Sequence, residues 1–293
     1  MIIVITGPTG VGKTKLSIAL AKKYHAEIIN GDAVQVYKGL DIGSAKVTPE
    51  EMENIPHHLF SIKEVTEDYS IYNYQKDCRK LIEEIQSKGK NVIIVGGTGL
   101  YIKSALYDYT LNDNNLSDQY EGISTEELYQ RLISLDKDID IDKHNRRRVV
   151  RALNYYLDTG TSIKSNQNGS KLLYDATFVG LTMENREDLY NRINNRVDEM
   201  LSKGLLEEVK HFYQKNIHTK PLQSAIGYKE LYLYLDGKIT YEEAIELIKR
   251  NSRRYAKRQY TFFNHQFKIK WFNINPNNFD ETINEVSKYI NTK

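Results

Sequence analysis

The stretch Ile2-Ile3-Val4-Ile5-Thr6-Gly7-Pro8-Thr9-Gly10-Val11-Gly12-Lys13-Thr14 decides the fold. Its four β-branched apolar residues read as a buried parallel strand, and Gly7 to Thr14 fit G-x-x-x-x-G-K-[ST]. Directly behind, Leu16, Ala19, Leu20 and Tyr24 share one helix face. Strand, glycine-rich turn and helix in that order are the context a phosphate-binding loop, or P-loop, requires. Glycines at 7, 10 and 12 let backbone N–H groups turn toward a phosphate chain, and the helix N-terminus adds its positive dipole end. Lys13 supplies a charge and Thr14 a hydroxyl for Mg²⁺.

Working outward, short apolar runs at 27–30 and 92–95 alternate with amphipathic stretches, the pattern of parallel β/α units. A helix is predicted from Ser70, its N-cap, to Lys88, with Gly89 as the stop, and another continues from Thr98 to Tyr107. Residues 110–123 are polar and without period. A capping box of Ser124 with Glu127 then opens a short helix to about Leu135, and a second helix runs from about Asn145 to Asp158, closed by Gly160. Ala176 to Leu181 reads as a strand returning to the sheet. The expected architecture is therefore α/β: a P-loop-containing, nucleoside triphosphate hydrolase-like parallel sheet formed by residues 1–109 and 173–293, with a small helical insertion at 110–172. Beyond it, helices are predicted over 186–203 and from the Thr240–Glu243 capping box to about Phe263.

Composition narrows the class. The 293 residues are 40% hydrophobic and 27% charged, with a net charge of +2, which is ordinary globular composition. Cys78, the only cysteine, excludes an intrachain disulfide and a cysteine zinc cage. The apolar runs fall far short of the ~20 residues that span a bilayer, so a soluble cytoplasmic protein without membrane contact is expected. The near-zero total hides polarity. Segment 247–279 holds Lys249, Arg250, Arg253, Arg254, Lys257, Arg258, Lys268 and Lys270 and no acid, and segment 143–160 sets Lys143, Arg146, Arg147, Arg148 and Arg151 against Asp158 alone. Such clusters point to polyanions, a diphosphate near the P-loop and a nucleic-acid backbone farther out.

The guanine-reading Asn-Lys-x-Asp of a GTPase is absent. An ATPase or kinase holds Mg²⁺ with an acid at a strand end, yet strand 92–95 ends in Gly96-Gly97-Thr98-Gly99. The acid follows strand 27–30 instead, as Asp32. There it could orient a phosphate acceptor, take a proton from an attacking amine, or cap a turn.

These residues resemble the bacterial tRNA dimethylallyltransferases (tRNA isopentenyltransferases) along nearly the whole chain. The resemblance rests on Gly7 to Thr14, on Asp32-Ala33-Val34-Gln35-Val36-Tyr37-Lys38-Gly39-Leu40-Asp41-Ile42-Gly43-Ser44-Ala45-Lys46, and on Pro56-His57-His58-Leu59. It continues through Gly96-Gly97-Thr98-Gly99-Leu100-Tyr101, Arg147-Arg148-Val149-Val150-Arg151-Ala152-Leu153, Ala225-Ile226-Gly227-Tyr228-Lys229-Glu230 and Ala256-Lys257-Arg258-Gln259-Tyr260-Thr261. The resemblance implies transfer of a dimethylallyl group from dimethylallyl diphosphate to N6 of adenosine-37, next to the tRNA anticodon, with Mg²⁺ held through Thr14. The P-loop residues Gly7, Pro8, Thr9, Gly10, Val11, Gly12, Lys13 and Thr14 then hold a leaving diphosphate. By the same match Asp32 is the base for the adenine amine, Thr98 a hydrogen-bond partner beside the reacting groups, and Arg196 the arginine that steadies the diphosphate. Asp32, Ala33, Val34 and Gln35, with Arg147, Arg148 and Arg151, match stretches that touch tRNA. A monomer is expected. Two departures stand out: Ala33 where the family usually has Ser, predicting a weaker hold on the base, and a short insertion, predicting fewer contacts to the anticodon arm. The competing readings are a small-molecule or nucleotide kinase with Asp32 orienting the acceptor, a prenyltransferase for free adenine nucleotides, and a catalytically idle RNA-binding protein.

Overall fold

The computed structural model describes residues 1–109, 111, 119–164 and 169–293. Positions 110 and 112–118, most of the polar stretch where the family's extra helix would fall, lie outside the described residues, as do 165–168. The chain divides into two compact units, Met1–Leu106 with Leu173–Lys293, and Tyr107–Leu172.

The larger unit is built on β1 (Ile2–Thr6), α1 (Lys13–Tyr24), β2 (Ala26–Asn30), β3 (His57–His58), α2 (Ile71–Ser87), β4 (Asn91–Val95) and α3 (Gly99–Leu106). The smaller contributes α4 (Thr125–Leu135) and α5 (Arg146–Thr159). The larger unit resumes with β5 (Ala176–Thr182), α6 (Arg186–Ser202), α7 (Leu205–Gln214), α8 (Lys220–Ser224), α9 (Tyr228–Leu235), α10 (Tyr241–Gln266), β6 (Lys270–Asn273) and α11 (Phe279–Ile290).

All six described strands run parallel, in the order β3-β2-β4-β1-β5-β6. Strand β1 is central and wholly buried, which is why it carries no polar residue before Thr6. Its register aligns Ile5 with Val95, and Val95 in turn with Asn30 of β2. The chain therefore leaves β1, β2 and β4 at one common edge, the carboxyl edge where open α/β sheets place their ligands. Ile3, Ile5, Leu16, Leu20, Ile28 and Ile93 are fully buried and share one core, each stabilising by roughly 1.5–3 kcal/mol relative to exposure.

Helix starts follow the capping residues read from the sequence. The Ser70 side chain accepts from Asn73 N–H, and the Thr240 side chain from Glu243 N–H in a full capping box. Helix α10 runs three residues past Phe263 because Phe263 and Gln266 still face packed neighbours.

In the smaller unit α4 and α5 pack through Leu128, Leu132, Val149, Val150 and Leu153. Arg146 does not face solvent with its neighbours. Its guanidinium donates to the carbonyls of Ile123 (2.5 Å) and Tyr120 (2.8 Å), tying the entry loop to α5. Arg147, Arg148 and Arg151 are exposed on the outer face of α5.

Candidate active site

Strand β1 delivers Gly7 to Gly12 at the carboxyl edge, where Gly7, Gly10 and Gly12 have φ of 138°, 87° and 86°. The loop winds around the start of α1, so its amides and the helix dipole face the same space. Lys13 folds back over it, its Nζ donating to the carbonyls of Gly7 (3.0 Å) and Pro8 (2.8 Å). Burial first and the Arg196 cation second push the Lys13 ammonium down from 10.5 to about 7, against an opposing pull from Asp32.

Strand β2 ends in Asn30, whose side chain clamps Asp32: Oδ1 accepts from Asp32 N–H and Nδ2 donates to Asp32 C=O, both at 2.9 Å. Asp32 Oδ1 then accepts from Val34 N–H at 2.9 Å, leaving the carboxylate aimed outward from a tight turn. Strand β4 ends in Gly96-Gly97-Thr98. The Thr98 hydroxyl accepts from Ala33 N–H at 3.0 Å, so two strand ends are stitched together at the acid.

These groups line one cavity of about 370 Å³. Thr9, Gly10, Gly12, Lys13 and Thr14 form one wall, Asp32, Val34 and Gln35 another, and Arg196 of α6 reaches in from a third side. The Arg196 guanidinium donates to the Thr9 hydroxyl at 3.2 Å. Burial lowers its pKa while the carboxylates of Asp32, Glu199 and Glu51 oppose that, and a guanidinium keeps its charge regardless. Of the residues picked from the sequence, Val11 is instead a core residue packed with Leu16 and Ile18. Thr98 and Ala33 stand just behind the wall, joined by their hydrogen bond. Arg147, Arg148 and Arg151 belong to the smaller unit.

Two further site residues carry roles that the sequence reading does not assign, one of them inside the quoted Ala256–Thr261 block. Gln259 of α10 is 5% exposed and bridges the two halves of the cavity. Its Oε1 accepts from Thr9 N–H (3.1 Å) and its Nε2 donates to Gly97 C=O (3.0 Å), linking the P-loop to the β4 end. Tyr255, one turn earlier, places its hydroxyl beside Thr98 and 3.5 Å from Gly97 C=O. Burial, reinforced by Asp32, holds that phenol well above the usual tyrosine value, so it remains a donor. The available signal was a glutamine on the apolar stripe Ala256-Gln259-Phe263, where a polar side chain needs a partner.

The basic run on α10 splits in two. Lys249 pairs with Asp198 at 2.8 Å and Arg253 donates to Asn194 at 2.6 Å, both on α6. Arg250, Arg254, Lys257 and Arg258 stay exposed, with Arg258 also lining the cavity.

A parallel sheet with a glycine-rich phosphate loop after its central strand and the catalytic edge open defines the fold of the P-loop nucleoside triphosphate hydrolases. The IPP transferase family model matches residues 35–266. A tRNA dimethylallyltransferase of Anoxybacillus flavithermus is 49% identical across 100% of this chain and 96% of its own length. The solved tRNA delta(2)-isopentenylpyrophosphate transferase of Staphylococcus epidermidis superposes with a TM-score of 0.76 at 42% identity, covering 100% of this chain and 99% of its own. A eukaryotic dimethylallyltransferase acting on tRNA superposes at 0.81 with 32% identity, over 92% of this chain and 73% of its own. The chain belongs to the IPP transferase family.

Proposed function

We propose that this protein transfers the dimethylallyl group of dimethylallyl diphosphate to N6 of adenosine-37 of tRNA, immediately 3′ of the anticodon. The observation that carries the reading is the single cavity in which a diphosphate-sized loop with two cations faces one clamped carboxylate. Kinase chemistry fits less well, because the β4 end offers glycine where a kinase or ATPase sets its metal-holding acid.

The diphosphate lies against the P-loop amides, Lys13 and Arg196, while Val47, Phe60, Val197 and Met200 give the five-carbon group an apolar wall. The adenine N6 lone pair attacks C1, the C1–O bond breaks and the diphosphate departs with its electron pair. Lys13, Arg196 and the loop amides stabilise the charge growing there. Asp32 takes the N6 proton. A carboxylate is a weak base for a neutral amine, yet the nitrogen becomes acidic as the C–N bond forms, so the transfer is favourable late in the step. Thr98 holds the Asp32–Ala33 turn, and Tyr255 supports Thr98.

Among the described residues no group of three or more His, Cys, Asp or Glu side chains is arranged to hold a metal. The Thr14 hydroxyl at the start of α1 would hold Mg²⁺ that keeps most of its waters, and the ion would add to the neutralisation of the diphosphate. Reaching the cavity requires the adenine to leave the anticodon stack at a cost of a few kcal/mol. Val34 and Gln35 beside Asp32, and the exposed Arg147, Arg148 and Arg151 of the insertion, are the contacts that offset it. In this reading residues 110–172 serve as the tRNA-binding insertion.

The test is to incubate the protein with Mg²⁺, dimethylallyl diphosphate and an unmodified tRNA transcript, then weigh the nucleosides. Prenylated adenosine is expected. Its absence, with ATP turnover instead, overturns the reading. Asp32→Ala should lower transfer by about 10²–10⁴-fold while tRNA binding stays largely intact; equal loss of both would make Asp32 structural.

A further inference from the structure

The turn at residues 41–45 is held from an unexpected side. Backbone N–H groups of Asp41 (3.1 Å), Ile42 (2.8 Å) and Gly43 (3.1 Å) all converge on the carboxylate of Glu208, which belongs to α7. The hydroxyl of Tyr228, a fully buried residue at the start of α9, donates to the same carboxylate. Three successive amides pointing inward form a nest of the kind that binds anions. Here the chain fills it with its own side chain.

The turn is tight and strained. Ala45 N–H donates to Ile42 C=O and Lys46 N–H to Asp41 C=O, both at 2.9 Å, and Ala45 sits at φ +47°, which an L-residue with a Cβ disfavours. Gly43 has no alternative, since a Cβ there would lie 2.5 Å from the Tyr228 ring. What the strain achieves is to aim two carbonyl oxygens at one side chain. Ser44 C=O at 2.9 Å and Ala45 C=O at 3.3 Å accept from Gln35 Nε2. Carbonyls only accept, so the amide nitrogen of Gln35 must face them. Its Oε1, without a hydrogen-bond partner among the described residues, is then presented as an acceptor in the cavity that Asp32 also lines.

We propose that Glu208 is a positioning residue for the acceptor base: by clamping the 41–45 turn it orients the Gln35 carboxamide so that Oε1 faces the incoming adenine. The proposal rests on the reading above in which Gln35 contacts tRNA. A Glu208 that merely stabilised the fold would affect both substrates alike. One acting through Gln35 affects the tRNA side and leaves the diphosphate side alone.

The experiment is a double-mutant cycle on the full chain, with KM measured separately for tRNA and for dimethylallyl diphosphate and folding followed by thermal melts. Gln35→Ala is expected to raise the KM for tRNA about tenfold, the loss of one good hydrogen bond. Glu208→Ala should raise it by a similar factor, with the KM for dimethylallyl diphosphate changed by no more than about twofold. The double variant should be no worse than the worse single one, because both remove the same oriented group. Should Glu208→Ala fail to fold, Glu208→Gln carries the cycle: it keeps the shape and one acceptor, and predicts a smaller change confined to tRNA. Multiplying effects, or equal rises in both KM values, overturn the proposal. An unchanged tRNA KM in Gln35→Ala overturns it together with the reading of Gln35, whereas sensitivity at Gln35 without sensitivity at Glu208 overturns the proposal alone.

Discussion

Binding of the diphosphate should take up a proton, and Lys13 is the group that receives it. In the empty site burial and the Arg196 cation push Lys13 from 10.5 to about 7. At 1.36 kcal/mol per pH unit that interval represents roughly 5 kcal/mol against charging the amine. A neutral amine has two N–H donors, and both are already used by Gly7 C=O and Pro8 C=O. Protonation adds a third donor along with the charge, and both are satisfied when phosphate oxygens arrive. The sign follows directly. Ligand favours the charged form, so affinity is highest below the empty-site value near 7 and falls as pH rises through it, by up to about tenfold per pH unit. At pH 8 about one Lys13 in ten is charged beforehand, so binding should absorb close to one proton, and about half a proton at pH 7. Phosphate second ionisations lie near 6, so the ligand contributes little above pH 7.5. The assay is calorimetric titration of dimethylallyl diphosphate, without tRNA, in buffers of different ionisation enthalpy. The slope of the observed enthalpy against buffer enthalpy counts protons. Lys13→Arg, which stays charged at these pH values, should bring the slope to zero and flatten the pH profile. A wild-type slope of zero at pH 8 would falsify the reasoning, since Lys13 would then already be charged in the empty cavity.

Further outcomes follow from single contacts. Gln259→Leu leaves Thr9 N–H unpaired, at a cost of about 1–3 kcal/mol, and Gly97 C=O with only the 3.5 Å contact from the Tyr255 hydroxyl; melts should show the loss, with diphosphate affinity falling alongside. Replacing Arg147, Arg148 and Arg151 together by Ala should reduce the slope of log affinity for tRNA against log salt by about two to three, while turnover at saturating tRNA stays near wild type. An unchanged slope would remove these arginines from the interface. Ala33→Ser should alter kcat/KM by less than about threefold, because one good hydrogen bond is worth more than that, the contact to Thr98 is made by the backbone amide, and Ala33 is not among the described residues lining the cavity. A tenfold gain in turnover would mean that a hydroxyl at 33 does reach the base.

The parts of the molecule legible in the sequence are those whose cause is local. The P-loop is one strand, one turn and one helix in succession, and the caps at Ser70, Asn145 and Thr240 act within three residues of themselves. Strand β3 is two residues long and β6 begins at an exposed lysine on the sheet edge, so neither carries a periodicity to read. The roles of the supporting residues are invisible for the opposite reason. Glu208 meets its amides across about 165 residues of chain, and Gln259 meets Thr9 across 250. Charge counting also misleads where a cation serves the backbone. Arg146 satisfies two carbonyls and Lys249 an aspartate, so the polyanion-facing charge is smaller than the sequence total implies.

The missing acid at β4 is a consequence of how closely the strand ends approach. A Cβ on Gly96 would fall 2.1 Å from the backbone of Gly31, so the residues leaving β4 must be glycine before Thr98 can reach Ala33 N–H. The position where a nucleoside triphosphate hydrolase sets its metal-holding carboxylate is thus occupied by main chain. The acid sits one strand over, its backbone clamped by Asn30 and its carboxylate accepting from Val34 N–H. A carboxylate beside the phosphates helps a nucleophile attack phosphorus. One on the acceptor side, with the phosphates held by amides and two cations, serves a reaction in which the diphosphate leaves and carbon is attacked. The same glycines that bring the two strands together therefore separate this chemistry from hydrolysis on a shared fold.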